Sequence, residues 1–532
     1  MTRARAAVAA VLLYCALTAA VFWPMVRDPA HTFIRNDDVY GNAWAMAWVV
    51  HQAVRSPLHL FDANSFHPRP SSFAYTEPLL PIALQGAPIL LAGGSPVLAH
   101  NVVLLLSFPL AGLAMFLLVR DRTGSAAAGL LAGLAWAFSA YRFQHLVHVQ
   151  SLATQWLPLA VLFLLHALDG GRGRDAALAA LFALLQVLSS GYYAVMTALG
   201  LGTVLVLEAP RAHRAGHLRP VIVALAVSAL VALLVFLPYG LVVSRQAAEL
   251  GRAILKGPGE AAHWSASLAT YVRPSDELYP TAIVAALALM ALVTRYRDRT
   301  VRLGAALVLV GIVFSLGPSP EGSAFVSPYD LVRRLPGLSI LRTPVRLGVL
   351  ALFGLDLLAG VAAAALARGG SWARAGLAAA AVLLAVELHP GDLRPLFRPL
   401  PPIPASARWL ASAPRGVVLE LPWDEDHLGD GGRYLYWSTA HWQPMVNGWG
   451  GYFPVAATAL GVTGRHFPLG PTVREMRAAG VRYVVVHLPA VRPQQQAMLT
   501  SDEPLPPGLA LAADFGSDRV YEIDPAGPPP KR

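Results

Sequence analysis

Two adjacent carboxylates stand in the stretch Ile34-Arg35-Asn36-Asp37-Asp38-Val39-Tyr40-Gly41-Asn42 of an otherwise apolar chain. A carboxylate there could take a proton from an acceptor hydroxyl as general base, or bind a divalent cation, magnesium or manganese, through oxygen. Alternatively, Asp38 caps the following helix and Asp37 complements its positive end, and the residues alone leave these readings even. Glu77, just before a proline-rich stretch, is a second acid, with a solvated loop as its other reading. Arginine suits phosphate because its fork makes two charge-assisted hydrogen bonds. The candidates are Arg142 with His145 and His148, Arg273 in Tyr271-Val272-Arg273-Pro274, and Arg342 and Arg346 around Thr343-Pro344. Each could instead snorkel to lipid headgroups. His145 and His148 have a spacing that could hold a metal, but no third ligand is near in sequence.

These residues need a scaffold, and composition says which kind. Of 532 residues, 55% are hydrophobic and 14% charged, where a soluble chain carries roughly 25% charged residues. A bilayer is the natural solvent. The net charge of +10 comes mostly from arginines between apolar runs, so it reads as topology information and not as a nucleic-acid footprint. Cys15 is the single cysteine, which excludes a disulfide framework or a thiolate metal site. Apolar runs near the ~20 residues a bilayer needs occur at 6–26, 97–119, 125–141, 152–168, 175–190, 192–209, 220–243, 278–294, 301–316, 344–367 and 372–388. The sequence therefore predicts about eleven transmembrane helices, the first retained rather than cleaved as a signal peptide. With the N-terminus inside, most inter-span arginines fall on the inner side, and the chain after residue 389 lies outside. The stretch 79–92, short and broken by Pro81 and Pro88, reads as interfacial or re-entrant. Function is then to be sought in the long outer segments 27–96, 244–277 and 317–343.

Within the first of these, Tyr40, Trp44, Ala47, Trp48 and His51 recur at helical spacing, which predicts an amphipathic helix lying at the membrane interface. The order of first helix, acidic pair at 37 and 38, interfacial helices through 39–92, then a helix 97–119 ending in Arg120-Asp121-Arg122-Thr123-Gly124 resembles the GT-C glycosyltransferases, in their bacterial branch. The likeness covers about residues 1–390. It implies a multi-span α-helical membrane protein that takes sugar from a polyprenyl-phosphate donor on the outer face, with Asp37 or Asp38 as catalytic carboxylate. Outer arginines would hold the donor phosphate, and a glycan or protein would be the acceptor.

From 389 to 404 the chain is dense in proline, which marks a linker, taken as 391–404, between membrane part and tail. Residues 405–532 read as a small extracytoplasmic α/β domain, with strands at 416–421, 481–487 and 519–523 and a helix at 472–479. Its middle interleaves Tyr434, Tyr436, Trp437, His441, Trp442, Asn447, Trp449 and Tyr452 with glycine and proline. Such aromatics suit a sugar-binding surface or, slightly favoured here, the seam with the membrane part. Asp424, Glu425 and Asp426 form a solvated charge run. Phosphate-loop, dinucleotide-binding and helical metalloprotease motifs are absent. The leading expectation is a glycosyltransferase of a bacterial cytoplasmic membrane. Its rivals are a carrier for lipid-linked glycans, for which Asp356 and Glu387 would be the intramembrane ionisable residues, and a non-catalytic assembly protein.

Overall fold

The computed structural model describes residues 3–77, 79–250, 258–320, 323, 325–335, 338, 341–423, 431–451 and 453–524. The charge run at 424–426 and Tyr452 lie outside them. Among the described residues six helices are long and apolar enough to cross a membrane: Ala4–Val21, Pro96–Thr123, Val149–Gly170, Gly191–Arg214, Leu218–Arg245 and Pro344–Arg368. The other five apolar runs fold as shorter helices, Ala126–Ala137, Gly173–Ser189, Ala282–Arg295, Arg299–Ser315 and Ser371–Glu387. Runs of Ala and Leu make these segments helical, and local signals end them. Ser125, Thr281 and Asp298 accept backbone N–H bonds as N-caps, while Gly124 and Gly171 close helices in the left-handed conformation. Small residues let backbones approach: a Cβ on Gly311 would stand 2.2 Å from the Ala351 nitrogen, so helix Arg299–Ser315 lies directly against helix Val349–Arg368. At the end opposite the candidate site, Asp169 gathers Arg299 at 2.8 Å, Arg122 at 3.3 Å and Arg211. These arginines tie helix ends together in addition to any role in topology.

The described residues also hold six strands: β1 (Thr32–Ile34), β2 (Phe397–Pro399), β3 (Val417–Leu421), β4 (Val481–His487), β5 (Leu509–Asp514) and β6 (Asp518–Ile523). The last four form one sheet in the order β3-β4-β6-β5, with β3 parallel to β4 and the other pairs antiparallel. Helix Gly470–Ala478 packs near β4. β5 was not foreseen, because Leu509-Ala-Leu-Ala-Ala-Asp is poor in β-branched residues and largely solvent-facing.

Two expectations are corrected. The proline-dense segment is no free spacer, since β2 pairs antiparallel with β1 and Leu400 N–H donates to the His31 carbonyl at 2.7 Å. The aromatic helix Asp37–Arg55, expected at the membrane interface, is instead covered by protein: every residue from Val39 to Val50 is buried. Its stripe packs on the helix Leu80–Leu91 and on the tail, with Tyr40 against Tyr436 at 5.2 Å and Trp48 against Trp442 at 5.8 Å between ring centroids. Aromatic faces at helical spacing bury equally well against protein or lipid, and here protein covers them.

Candidate active site

The acidic pair opens the helix Asp37–Arg55, but neither acid caps it. Asn36 is the N-cap, its side chain accepting from Asp38 N–H at 2.8 Å. Consecutive helical residues point about 100° apart, so the two carboxylates face different neighbours. Asp37 accepts from the backbone N–H groups of Gly432 at 2.9 Å and Arg433 at 3.0 Å, the first turn of helix Gly431–Ser438. It serves as a cap supplied from outside that helix, which satisfies donors the helix cannot. Asp38 instead sets Oδ2 3.0 Å from His148 Nε2 and accepts Trp449 Nε1–H on Oδ1 at 3.2 Å. The carboxylate and the imidazole each keep about a third of their side-chain surface open, so the pair is accessible to a reactant.

His148 belongs to a polar cluster where the turn after helix Ala126–Ala137 meets the start of helix Val349–Arg368. Tyr141 stacks on His145 at 4.2 Å, and His145 Nε2 is 3.5 Å from Glu277 Oε2. Arg346, in the 3-10 turn Pro344–Gly348, lies over the Tyr192 ring at 4.8 Å. Its charge reaches Glu77, Tyr141, His145 and Glu277. Burial raises the Glu77 carboxyl above its ordinary range, opposed by Arg346. Burial raises Glu277 in the same way, and pushes His145 down to about 3, so it is neutral. Several polar atoms here are buried without a hydrogen-bond partner among the described residues: Glu77 Oε2, His148 Nδ1 and Arg346 Nε. Buried polar atoms are almost always paired, so this convergence fits a polar guest carrying oxygens.

The remaining candidates divide. Arg342 pairs with Glu260 at 3.4 Å and its backbone N–H donates to Tyr192 Oη at 3.1 Å, at the edge of the cluster. Arg273 is exposed on the turn that follows Leu268–Tyr271, and no contact joins it to the cluster among the described residues. Arg142 is corrected: it is fully buried and spends its donors on the Ala137 and Leu152 carbonyls, Thr154 and Ser107, under the Phe108 ring at 4.5 Å. It braces the turn, with four of its five N–H donors already spent on the protein. N–H donors reach both oxygens of Asp37 and Oδ1 of Asp38, and no group of three potential metal ligands stands among the described residues.

Tyr192, Tyr193 and Glu277 were not singled out from sequence. The signal was the polar break Ser189-Ser190-Gly191-Tyr192-Tyr193 between two apolar runs: the helices Gly173–Ser189 and Gly191–Arg214 part there, bringing Ser190 to Glu77 and Tyr192 to Arg346. No protein-family model matches the chain, and no curated protein matches it. Among solved structures it is similar to the arabinofuranosyltransferase AftD from Mycobacteria, with TM-score 0.52 and 17% identity over 99% of this chain and 42% of that one. It is also similar to ArnT from Cupriavidus metallidurans in the apo state, with TM-score 0.50 and 15% identity over 96% and 97% of the two chains. The chain thus spans less than half the length of AftD.

Proposed function

On the premise that this membrane chain has the GT-C fold it shares with those two glycosyltransferases, we propose that it moves a sugar from a polyprenyl-phosphate donor to a glycan or protein acceptor. The observation that carries this reading is the Asp38–His148 pair beside the Arg346 cluster, where Glu77 Oε2, His148 Nδ1 and Arg346 Nε lack partners among the described residues. In the proposed step an acceptor hydroxyl attacks the anomeric carbon while the bond from that carbon to phosphate oxygen breaks. The bonding electrons leave with polyprenyl phosphate, and the hydroxyl proton passes to Asp38, held by His148. Arg346 would neutralise the charge that grows on the leaving phosphate. No step is routed through a metal. The reading is completed by eleven crossings with the N-terminus inside the bacterial cytoplasmic membrane, a membrane part at 1–390, and the unit at 405–532 on the outer side.

The carrier reading is weaker on one specific point. Glu387 accepts the N–H groups of Ala282 at 3.2 Å and Ile283 at 3.1 Å, so it caps a helix, and of the two acids weighed for transport buried Asp356 alone is left. The test is a transfer assay in proteoliposomes with a panel of polyprenyl-phosphate sugars. Asp38→Asn should cost about a thousandfold in turnover, while Asp37→Asn retains most of it. Undiminished transfer by Asp38→Asn, or lipid movement without transfer, would sink the proposal.

A further inference from the structure

The tail does not merely sit near the acidic pair; it supplies part of the pair's surroundings. Trp449 comes from the stretch Asn447-Gly448-Trp449-Gly450-Gly451, and its neighbours are fitted to the first outer loop at van der Waals limits. A Cβ on Gly448 would meet the Phe66 ring at 2.2 Å, and one on Gly450 would meet the Tyr75 carbonyl at 2.2 Å. The indole lies on Gly41, where a Cβ would stand 2.3 Å from the ring. Gly41 is one helical turn after the acids, so only a residue without a side chain there lets the indole reach back to Asp38. Backbone bonds hold this register from both sides: Phe66 N–H to the Asn447 carbonyl at 3.1 Å, His67 N–H to Met445 at 2.8 Å, Met445 N–H to Asn64 at 2.8 Å and Gly451 N–H to Tyr75 at 3.0 Å.

From this geometry we infer that Trp449 is a positioning residue for the Asp38 carboxylate, so that the C-terminal unit is an obligate half of the active site. The indole N–H takes Oδ1 and fixes the rotation of the carboxylate, which presents Oδ2 to His148. The inference rests on the proposed role of Asp38, and it concerns the orientation of that group rather than donor binding.

The experiment compares Trp449→Phe with the native enzyme in the same polyprenyl-phosphate-sugar assay. Phenylalanine keeps an aromatic ring over Gly41 and deletes the N–H. A hydrogen bond to a charged group corresponds to roughly a tenfold effect or more. The expected result is a fall in kcat of about that size with the donor KM and the melting temperature unchanged. Gly41→Ala, which keeps the indole but pushes it off the helix, should lower kcat in the same direction. Native kcat in Trp449→Phe overturns the inference, as does a loss of rate that follows a fall in melting temperature in both variants. Asp38→Asn run alongside separates the two claims: turnover retained there removes the catalytic role of Asp38 and this inference together. Turnover lost in Asp38→Asn but native in Trp449→Phe removes the inference alone.

Discussion

Asp37 and Asp38 are neighbours of identical chemistry with opposite fates, because a helix turns successive side chains to different partners. Asp37 binds two backbone donors of another helix, so Asp37→Ala should lower stability by about 1–2 kcal/mol, read as a lower melting temperature. Asp38→Asn, which leaves that cap intact, should melt near the native temperature while losing turnover. The arginines divide in the same way. Arg346→Lys keeps the charge but loses the planar fork, and should raise the apparent KM for donor at least about tenfold. Arg142→Met strands the buried Ala137 and Leu152 carbonyls. It should cost roughly 3 kcal/mol or more of stability while the folded fraction keeps its donor KM, and an equal rise of KM in both variants would refute the division. Sequence placed these residues in one class because residue type and apolar context were its only guides. Whether an arginine is satisfied internally depends on carbonyls exposed by a turn, as at residues 137 and 152, which no spacing rule reveals.

At the level of elements, most helices were legible because long apolar runs admit only one satisfied backbone conformation in lipid. What could not be read was which faces meet. The helix Asp37–Arg55 has an aromatic stripe that fits a membrane surface as well as a protein groove, and only the long-range placement of helix Gly431–Ser438 decided it. Glycine packing is similarly invisible until partners are known. At Gly311 a side chain would collide with backbone of Ala351, which cannot swing aside as a side chain would. Gly311→Val should therefore displace helix Val349–Arg368, whose preceding turn carries Arg346, costing about 1–3 kcal/mol. Donor affinity should fall with it, measurable as a raised KM at saturating acceptor. A destabilised variant with native donor KM would show that Arg346 is anchored by its own turn and not by the helix behind it.

Across the whole molecule the seam makes the tail sheet and the membrane part interdependent, and one buried charge group in the sheet lets that be tested. His487, at the end of β4, stands 2.7 Å from Glu420 on β3 and 3.0 Å from Asp518 on β6. Tyr434 stacks on it at 5.4 Å and Trp437 lies tilted against it at 5.2 Å, both from the helix whose N-terminus Asp37 caps. Arg433 of the same helix adds its charge to Glu420. Burial alone would lower the imidazole, but the hydrogen bonds and charges of Asp518 and Glu420 carry it up to about 9. A group raised on folding stabilises fully below its unfolded value near 6.5 and loses that contribution as pH climbs through its folded value. Stability should therefore fall between about pH 6.5 and 9 by something on the order of 3 kcal/mol, as imidazolium between two carboxylates becomes neutral. His487→Asn should be less stable than native at pH 6.5 and show little of this slope. The seam adds the second half of the prediction: if helix Gly431–Ser438 loosens with the sheet, backbone amides of Gly432 and Phe66 should lose hydrogen-exchange protection together at alkaline pH. Protection lost at Gly432 and retained at Phe66 would mean that the sheet responds alone, and that the tail is a separable unit resting on the membrane part.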